Sequence, residues 1–339
     1  MRKIITGLMA MLAFAQLHAQ QQPHYTQYIL NQYILNPALT GIENYTDIKL
    51  SHRHQWVGLQ DAPVTTYLTI HTPIGKKDYR TTATSASVPG ENPRGERYWE
   101  DYTAAEPHHG IGLQVINDRA GPLNEFAAYA TYAYHIGISP RTSIAAGFGA
   151  GLKQLSLHAD MLHFNTPVDP AVYGTGVLNT IRPDFMAGLY LYSADYFVGV
   201  SAQQIVPQKV SYSKDGGVSS NTGQLVPHVF ATAGYRFLLN EDFNVIPSVM
   251  VKFVQPLPVQ VDLNAKLQYL DLAWIGASFR TGDGFAAMVG LNISNGFNVG
   301  YAYDYSTTKL NTVSSGTHEL MIGYTIGNKY DDGCPKNVW

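Results

Sequence analysis

The chain has 339 residues, of which 45% are hydrophobic, 12% aromatic and only 14% charged, and its formal net charge is −3. This hydrophobic content excludes a disordered chain, the single cysteine excludes a disulfide scaffold, and the slight negative charge argues against a protein that binds nucleic acid through phosphate groups. After the N-terminus no segment approaches the roughly 20 apolar residues that a membrane-spanning helix needs, which excludes a helical membrane protein.

Residues 1–19 have the pattern of an export signal peptide. Arg2 and Lys3 form a positive n-region, and the mostly apolar run that follows them forms an h-region. Small residues mark one cleavage site after Ala15 and a weaker one after Ala19. No cysteine follows the h-region, which excludes a lipoprotein. The sequence therefore predicts that the chain leaves the cytoplasm.

Residues 20–46 form an N-terminal segment that precedes the first predicted strand. Its apolar side chains are too numerous for a free tail: Tyr25, Tyr28, Ile29, Tyr33, Ile34, Leu35 and Leu39. The segment either plugs the lumen of the domain that follows, packs under that domain or docks a periplasmic partner. The sequence does not choose among these placements.

Residues 47–327 alternate between apolar and polar side chains, as two-faced β-strands do. In the clearest case, residues 259–269, one face carries valine, leucine, alanine and tyrosine and the other only polar residues. Fourteen segments of this kind follow one another along the chain: 47–56, 64–73, 110–118, 125–137, 141–157, 184–193, 195–203, 227–238, 243–254, 258–270, 272–281, 284–294, 297–306 and 318–327.

The lengths and end residues of these segments favour strands that cross a membrane. Most of the segments have the length of a tilted membrane-spanning strand, which exceeds that of an average soluble strand. Tyrosines gather near the segment ends, as in the aromatic girdles of membrane barrels: Tyr132, Tyr134, Tyr190, Tyr192, Tyr301, Tyr303 and Tyr305.

The connections are unequal, which also favours a barrel. Tight turns at 193–195, 240–242 and 295–296 contrast with long polar connections at 74–109, 158–183 and 204–226. Short turns at one end and long loops at the other are typical of outer-membrane barrels. Because lipid offers no hydrogen-bond partners, such a sheet must close on itself. We expect an all-β, transmembrane antiparallel β-barrel of about 14 strands, and a soluble β-sandwich or propeller is the alternative.

Residues that carry chemistry do not form a recognisable site. His52, His54 and His71 lie on two adjacent predicted strands, and His108 and His109 form a pair, but no carboxylate or thiol follows at ligand spacing. The acidic positions Asp169, Asp331 and Asp332 lie outside any calcium-binding loop. Catalytic and phosphate-binding glycine motifs are absent from the sequence. The sequence predicts no metal, no cofactor and no enzyme activity.

Two further segments have polar or reactive residues. The predicted C-terminal tail, 328–339, contains Cys334, a lone thiol that either pairs between molecules or is inert. The connection 79–107 mixes charged and aromatic residues, which suits a contact with a partner protein or an ordinary solvated loop.

Five stretches of the chain resemble the PorP/SprF family of outer-membrane proteins, which is associated with type IX secretion and gliding motility. The resemblance spans almost the whole mature chain. Its five stretches start with Gln27-Tyr28 and Asn36 to Gly41, with Arg53 to Gly58, with Gly110 to Leu113, with Ala187 to Tyr190, and with Gly300 to Tyr305. The last stretch continues with Gly316 to Glu319 and Cys334 to Lys336. The connection 79–107 is longer than the resemblance leads us to expect.

The resemblance implies a function that composition does not show. Members of the family are similar in acting as non-enzymatic outer-membrane components of the type IX apparatus. Some help to export or hold adhesins through a C-terminal signal domain, and others are linked to a periplasmic complex attached to peptidoglycan. The expected partners are therefore outer-membrane lipid, type IX secretion components, the C-terminal domains of secreted adhesins and periplasmic anchoring proteins, but not nucleic acid.

Several residues of the resembling stretches are candidates for a structural or docking role: Asn36, Pro37, Gly41, Arg53, Gln55, Trp56, Asp304, His318 and Glu319. Trp56 ends a predicted strand where an interfacial aromatic residue would lie. Asp304 alternates with a row of tyrosines and is expected to face the lumen. Barrel construction is the plainer explanation for each of these residues.

Two other functions remain as hypotheses. The first alternative is an outer-membrane channel for small or hydrophobic solutes, because the polar faces 260–268 and 298–304 would line a wet lumen. The second is an exported enzyme on a β-scaffold, which would need a converging group of histidine, aspartate and serine that the sequence does not reveal.

Overall fold

The computed structural model describes residues 24–76, 102–161, 177–210, 223–270, 272–294 and 296–327. Within these residues, fourteen strands build one sheet: β1 (Thr46–His54), β2 (Val64–Ile74), β3 (His108–Ala120), β4 (Leu123–Ser139), β5 (Thr142–His158), β6 (Val177–Tyr192), β7 (Tyr196–Gln203), β8 (His228–Tyr235), β9 (Phe243–Val254), β10 (Gln260–Tyr269), β11 (Ala273–Arg280), β12 (Gly284–Ser294), β13 (Phe297–Ser306) and β14 (Thr317–Ile326).

The sheet closes into a barrel. Each strand pairs antiparallel with the next along the chain, and β1 pairs with β14 from Thr46 opposite Ile326 to His54 opposite His318. β8 completes the ring because it pairs with both β7 and β9. Closure leaves no strand edge without a partner around the ring, as the lipid phase requires. The predicted all-β antiparallel barrel is confirmed.

The barrel wall has its polar face inside and its apolar face outside. On β1 the side chains of Asp47, Lys49, Ser51 and Arg53 are buried, whereas Leu50 between them is 46% exposed. The same alternation holds on β10, where the polar residues at 262–268 are buried and Leu263 is exposed. A soluble barrel would have the opposite arrangement. The exposed apolar band is therefore the surface that meets lipid.

Several shorter elements lie outside the fourteen barrel strands. Three 3₁₀ helices, Gln27–Ile29, Gln32–Ile34 and Pro37–Leu39, lie before β1, and two more lie at Ala159–Met161 and Lys309–Thr312. The short strands Gln208–Val210 and Gly223–Leu225 form a separate hairpin, and Phe237–Leu238 pairs with β9. No helix among the described residues is long and apolar enough to cross a membrane.

The tyrosine pattern needs a correction. Tyr132, Tyr134 and Tyr301 point outward and are exposed, as expected for an aromatic girdle. Tyr190 and Tyr192 instead point into the barrel and are buried, so their assignment to the girdle was wrong. Both faces of β6 are apolar in this stretch, and the alternation therefore does not reveal which face is the inner one.

The expected separation of short and long connections is also wrong in one place. The connections alternate between the two ends of the barrel, and we call the end that holds the start of β1 and the finish of β14 the termini end. The tight turns 193–195 and 295–296 lie there, but so does the long connection 75–107. The long connections 159–176 and 204–227 lie at the opposite end, which we call the mouth end.

Candidate functional site

The N-terminal segment, residues 24–45, lies inside the barrel. It begins with His24, which lines a cavity at the mouth end, and it reaches the termini end before β1 starts. Nearly every one of its residues is buried. Of the three placements that the sequence left open, the described part of the segment occupies the lumen.

Arg53 joins this segment to the wall near the mouth end. Its Nη1 donates to the Thr26 hydroxyl at 2.7 Å and to the Glu319 carboxylate at 3.1 Å. Its Nη2 donates to Asp304 Oδ2 at 2.6 Å, and the Thr26 hydroxyl donates to the same oxygen at 2.7 Å. The three ionised residues therefore come together from the adjacent strands β1, β13 and β14.

Glu319 is the most connected carboxylate of this group. Its side chain is fully buried, and it accepts hydrogen bonds from the backbone N–H of Thr26 at 2.8 Å and from Ser51 Oγ at 3.1 Å. Gln27 adds two bonds to the neighbouring wall, because its side-chain amide donates to the carbonyls of Gly300 and Glu319. Because the Glu319 carboxylate is buried, it stabilises the contact between the N-terminal segment and the wall only while all of these hydrogen-bond and ionic partners stay in place.

A second arginine extends the charged group. Arg280 donates from Nε to Asp262 at 3.1 Å and from Nη1 to Asp283 at 3.1 Å, and its Nη1 lies 3.9 Å from Asp304. Sequence reasoning missed Arg280 because it lies at the end of a strand where no resembling stretch falls. Its inward position in the alternation of β11 is the signal that could have found it.

Asn36 and Pro37 start the third 3₁₀ helix. The Asn36 side-chain oxygen accepts from the backbone N–H of Ala38 at 2.9 Å, which caps the helix, and Pro37 fits its first position because it has no N–H to satisfy. The Asn36 amide donates to the Leu189 carbonyl on β6 at 3.0 Å. A side chain at Gly188 would overlap the Asn36 amide, so the wall leaves a gap where the segment docks.

Gly41 docks at the termini end of the lumen. Its φ of 76° favours glycine, and a Cβ there would overlap the backbone of Gly110 on β3. The Gly41 N–H donates to His71 Nδ1 at 3.2 Å, and its carbonyl oxygen lies 3.3 Å from His108 Nε2. His135, which sequence reasoning did not single out, stacks on His108 at 4.5 Å and donates to the Thr40 carbonyl at 2.9 Å.

These contacts show what the inward histidines do. His52 and His54 point away from the lumen, whereas His71 and His108 bind the backbone of the N-terminal segment. Among the described residues, no three side chains of histidine, cysteine, aspartate or glutamate come together as metal ligands. The positions Asp169, Asp331, Asp332 and Cys334, and most of 79–107, lie outside the described residues.

The remaining candidates, Gln55, Trp56 and His318, lie near the mouth end. They are not part of the group formed by Arg53, Asp304 and Glu319. Gln55 and Trp56 follow β1 and line the mouth-end cavity, and the Trp56 N–H donates to Thr317 Oγ1 at 3.1 Å. Trp56 has φ 46° and lies in a turn beyond the strand, so its expected place at a strand end was wrong. His318 faces outward and hydrogen-bonds the Tyr301 hydroxyl at 2.6 Å.

The mouth-end cavity has a volume of about 290 Å³ and lies between the start of the N-terminal segment and the ends of β1, β11 and β13. We call it the mouth cavity. Both Arg53 and Arg280 line it, together with Asp283 and Asp304. Burial lowers the pKa of His24, and the nearby cations Lys252, Arg280 and Arg53 lower it further, so its imidazole is neutral.

A closed antiparallel barrel with an apolar outer band, a polar inner wall and an occupied lumen defines an outer-membrane β-barrel protein. The family model for the type IX secretion system membrane protein PorP/SprF matches residues 17–324. The chain therefore belongs to the PorP/SprF family, as its resembling stretches predicted. The search of curated proteins finds no match.

Solved structures with this fold are outer-membrane barrels of bacteria. The toluene transporter TbuX of Ralstonia pickettii matches with a TM-score of 0.50 and 9% identity, over 86% of this chain and 92% of that chain. The toluene transporter TodX of Pseudomonas putida has a TM-score of 0.50 and 9% identity, over 90% and 94%. The outer-membrane protein Omp33 of Acinetobacter baumannii has a TM-score of 0.46 and 10% identity, over 85% and 100%. At 9% identity the likeness to the two toluene transporters is one of fold alone.

Replacing Arg53 tests the charged contact between the segment and the wall. Arg53→Met leaves Asp304 and Glu319 buried without their shared cation, and we expect it to lower the free energy of unfolding by about 3–5 kcal/mol. The measurement is urea unfolding in lipid vesicles, followed by tryptophan fluorescence. Arg119→Met removes an exposed arginine of β3 and should change stability by less than about 0.5 kcal/mol. Equal stability of the two variants would show that the ionic contact of Arg53 with Asp304 and Glu319 does not stabilise the barrel.

Replacing Gly110 tests the close approach at the termini end. A methyl group at this position would overlap the carbonyl of Thr40, so Gly110→Ala should displace residues 37–41 while the barrel stays closed. We expect cleavage of the N-terminal segment by added protease to become faster in the variant. Gly276→Ala is the matched control, because its methyl group would meet its nearest neighbours at 3.4 Å, which is ordinary contact. The same cleavage rate in both variants would show that the segment does not dock at Gly110.

Proposed function

We propose that the protein is a non-enzymatic outer-membrane component of the type IX secretion and gliding-motility apparatus, which binds or anchors a secreted adhesin and periplasmic partners. The observation that carries the proposal is family membership over residues 17–324. The fold supports the same conclusion, because family and barrel belong to secretion and transport proteins of the membrane rather than to known enzymes.

The occupied lumen supports docking over transport. Residues 24–45 are held by hydrogen bonds to strands around the ring, including Gln114 on β3, Thr131 on β4, Ser201 on β7 and Asn264 on β10. A solute would have to displace this segment to pass through. A channel for small or hydrophobic solutes is the alternative, and the toluene transporters TbuX and TodX share its fold at 9% identity.

The connections suggest how the barrel is oriented. At the termini end the turns 140–141, 193–195 and 270–272 are short, whereas the mouth end carries 159–176 and 204–227. In outer-membrane barrels the short turns face the periplasm and the longer loops face outward. We therefore propose that the mouth cavity opens at the cell surface, where a secreted adhesin would be bound. The two ends of the connection 75–107 would then face the periplasm, where anchoring proteins are expected.

Capture of the full chain from its own membranes tests the proposal. Tagged protein, extracted in mild detergent after cross-linking, should recover type IX components and a secreted protein that carries a C-terminal signal domain. Deleting that domain from the secreted protein should abolish its recovery while the recovery of the type IX components persists. An unrelated outer-membrane barrel with the same tag is the control. Recovery of neither class of partner would contradict the proposed function.

A further inference from the structure

Lys252 is a buried cation without an ionic partner among the described residues. It lies on β9, points into the lumen and is only 6% exposed. It makes no hydrogen bond or ion pair there, and the contact that it does make is with the ring of Phe230, whose centroid is 5.9 Å from its Nζ. The idealised cost of burying an unpaired ammonium is high, so a position of this kind favours an anion as ligand.

Lys252 lines a cavity that adjoins the mouth cavity. This second cavity has a volume of about 220 Å³ and lies between the end of β9 and the turn after β11. Gln260, Thr281 and Gly282 line both cavities. An elongated ligand that enters from the mouth end can therefore reach Lys252 and the arginines of the mouth cavity together.

Arg280 provides the second cationic contact. Its Nε and Nη1 bond Asp262 and Asp283, but its Nη2 donates no hydrogen bond within the described part of the chain. In the sheet register Lys252 is opposite Gln260, and Asp262 is opposite Arg280. The two cations therefore lie on the inner wall with one strand between them, about 10 Å apart across the strands.

Asp262 attracts Lys252 electrostatically, but the hydrogen bonds of the nearby carboxylates go to residues other than Lys252. Asp262 accepts from Gln260 and Arg280, Asp283 accepts from Arg280, and Asp304 accepts from Arg53. These bonds direct the carboxylates toward the arginines.

We propose that the two adjoining cavities bind carboxylate groups of a polypeptide at the mouth end, with Lys252 as the pairing cation and Arg280 as a second donor. A guanidinium edge and an ammonium are suited to carboxylates. The N-terminal segment occupies the lumen beyond the cavities, so a ligand that enters there is held at the mouth rather than passed through. The choice of a polypeptide as occupant rests on the proposed function.

The test uses the full chain in detergent micelles with two labelled peptides, a Ser–Glu repeat and the matching Ser–Gln repeat. The Ser–Glu peptide should bind and the Ser–Gln peptide should not. Lys252→Met should weaken binding by about tenfold or more. The control is Lys309→Met, which removes an exposed charge at the same end but outside both cavities, and its affinity should match that of the unaltered protein.

Stability provides a second readout that separates loss of binding from loss of fold. Without peptide, Lys252→Met should unfold at the same or a higher urea concentration, because it removes a buried charge that has no ionic partner. Unchanged peptide affinity in Lys252→Met, or equal binding of the two peptides, would overturn the proposal. Glutarate binding as tightly as the Ser–Glu peptide would also overturn it in favour of a site for small solutes. These titrations need no secretion partner, so their failure is distinct from failure of the capture experiment.

Discussion

The structure depends on the pairing of polar groups inside a barrel that lipid surrounds. Lipid accepts no hydrogen bonds, so the backbone of the wall must bond within a closed ring, and the polar inner side chains must find partners in the lumen. The N-terminal segment supplies many of those partners. Arg53, Asp304 and Glu319 show the principle, because each of them contacts Thr26 as well as another ionised residue of the wall.

The wall is shaped to receive this segment. Glycines lie where the segment approaches most closely, as Gly110 does beside Thr40 and Gly188 does beside Asn36. Histidines at the termini end bind backbone groups at Thr40 and Gly41, and amide side chains bind carbonyls elsewhere. The occupied lumen is the reason why we propose docking at the ends of the barrel rather than passage of a solute through its centre. The binding site that we propose in the two cavities at the mouth end agrees with this reading, because it lies above the occupied lumen.

The barrel could be predicted because its strands obey a simple rule. A strand with lipid on one side and a polar lumen on the other alternates strictly, and β10 shows this in the sequence itself. The rule fails where both faces are apolar, and for that reason Tyr190 and Tyr192 were assigned to the wrong face. The grouping of long connections at one end is only a tendency of outer-membrane barrels, and the connection 75–107 departs from it because it joins β2 to β3 at the termini end.

The contacts of the lumen could be predicted only in part. Asp304 was expected to face inward from its place between tyrosines, and it does. Its pairing with Arg53 joins residues that are 251 positions apart, which no local pattern encodes. The N-terminal segment forms 3₁₀ turns with no apolar stripe, so its placement depends on the finished wall. His135 and Arg280 lie on predicted strands but outside every stretch that resembles the family, and only the closed ring brings them to the segment and the cavity.

Conductance in planar lipid bilayers is a direct test of whether residues 24–45 occupy the lumen of the closed barrel. The measurement uses the full chain at neutral pH in symmetric salt. We expect little steady current, because the segment is held at both ends of the lumen. A large, stable current from the full chain would contradict it.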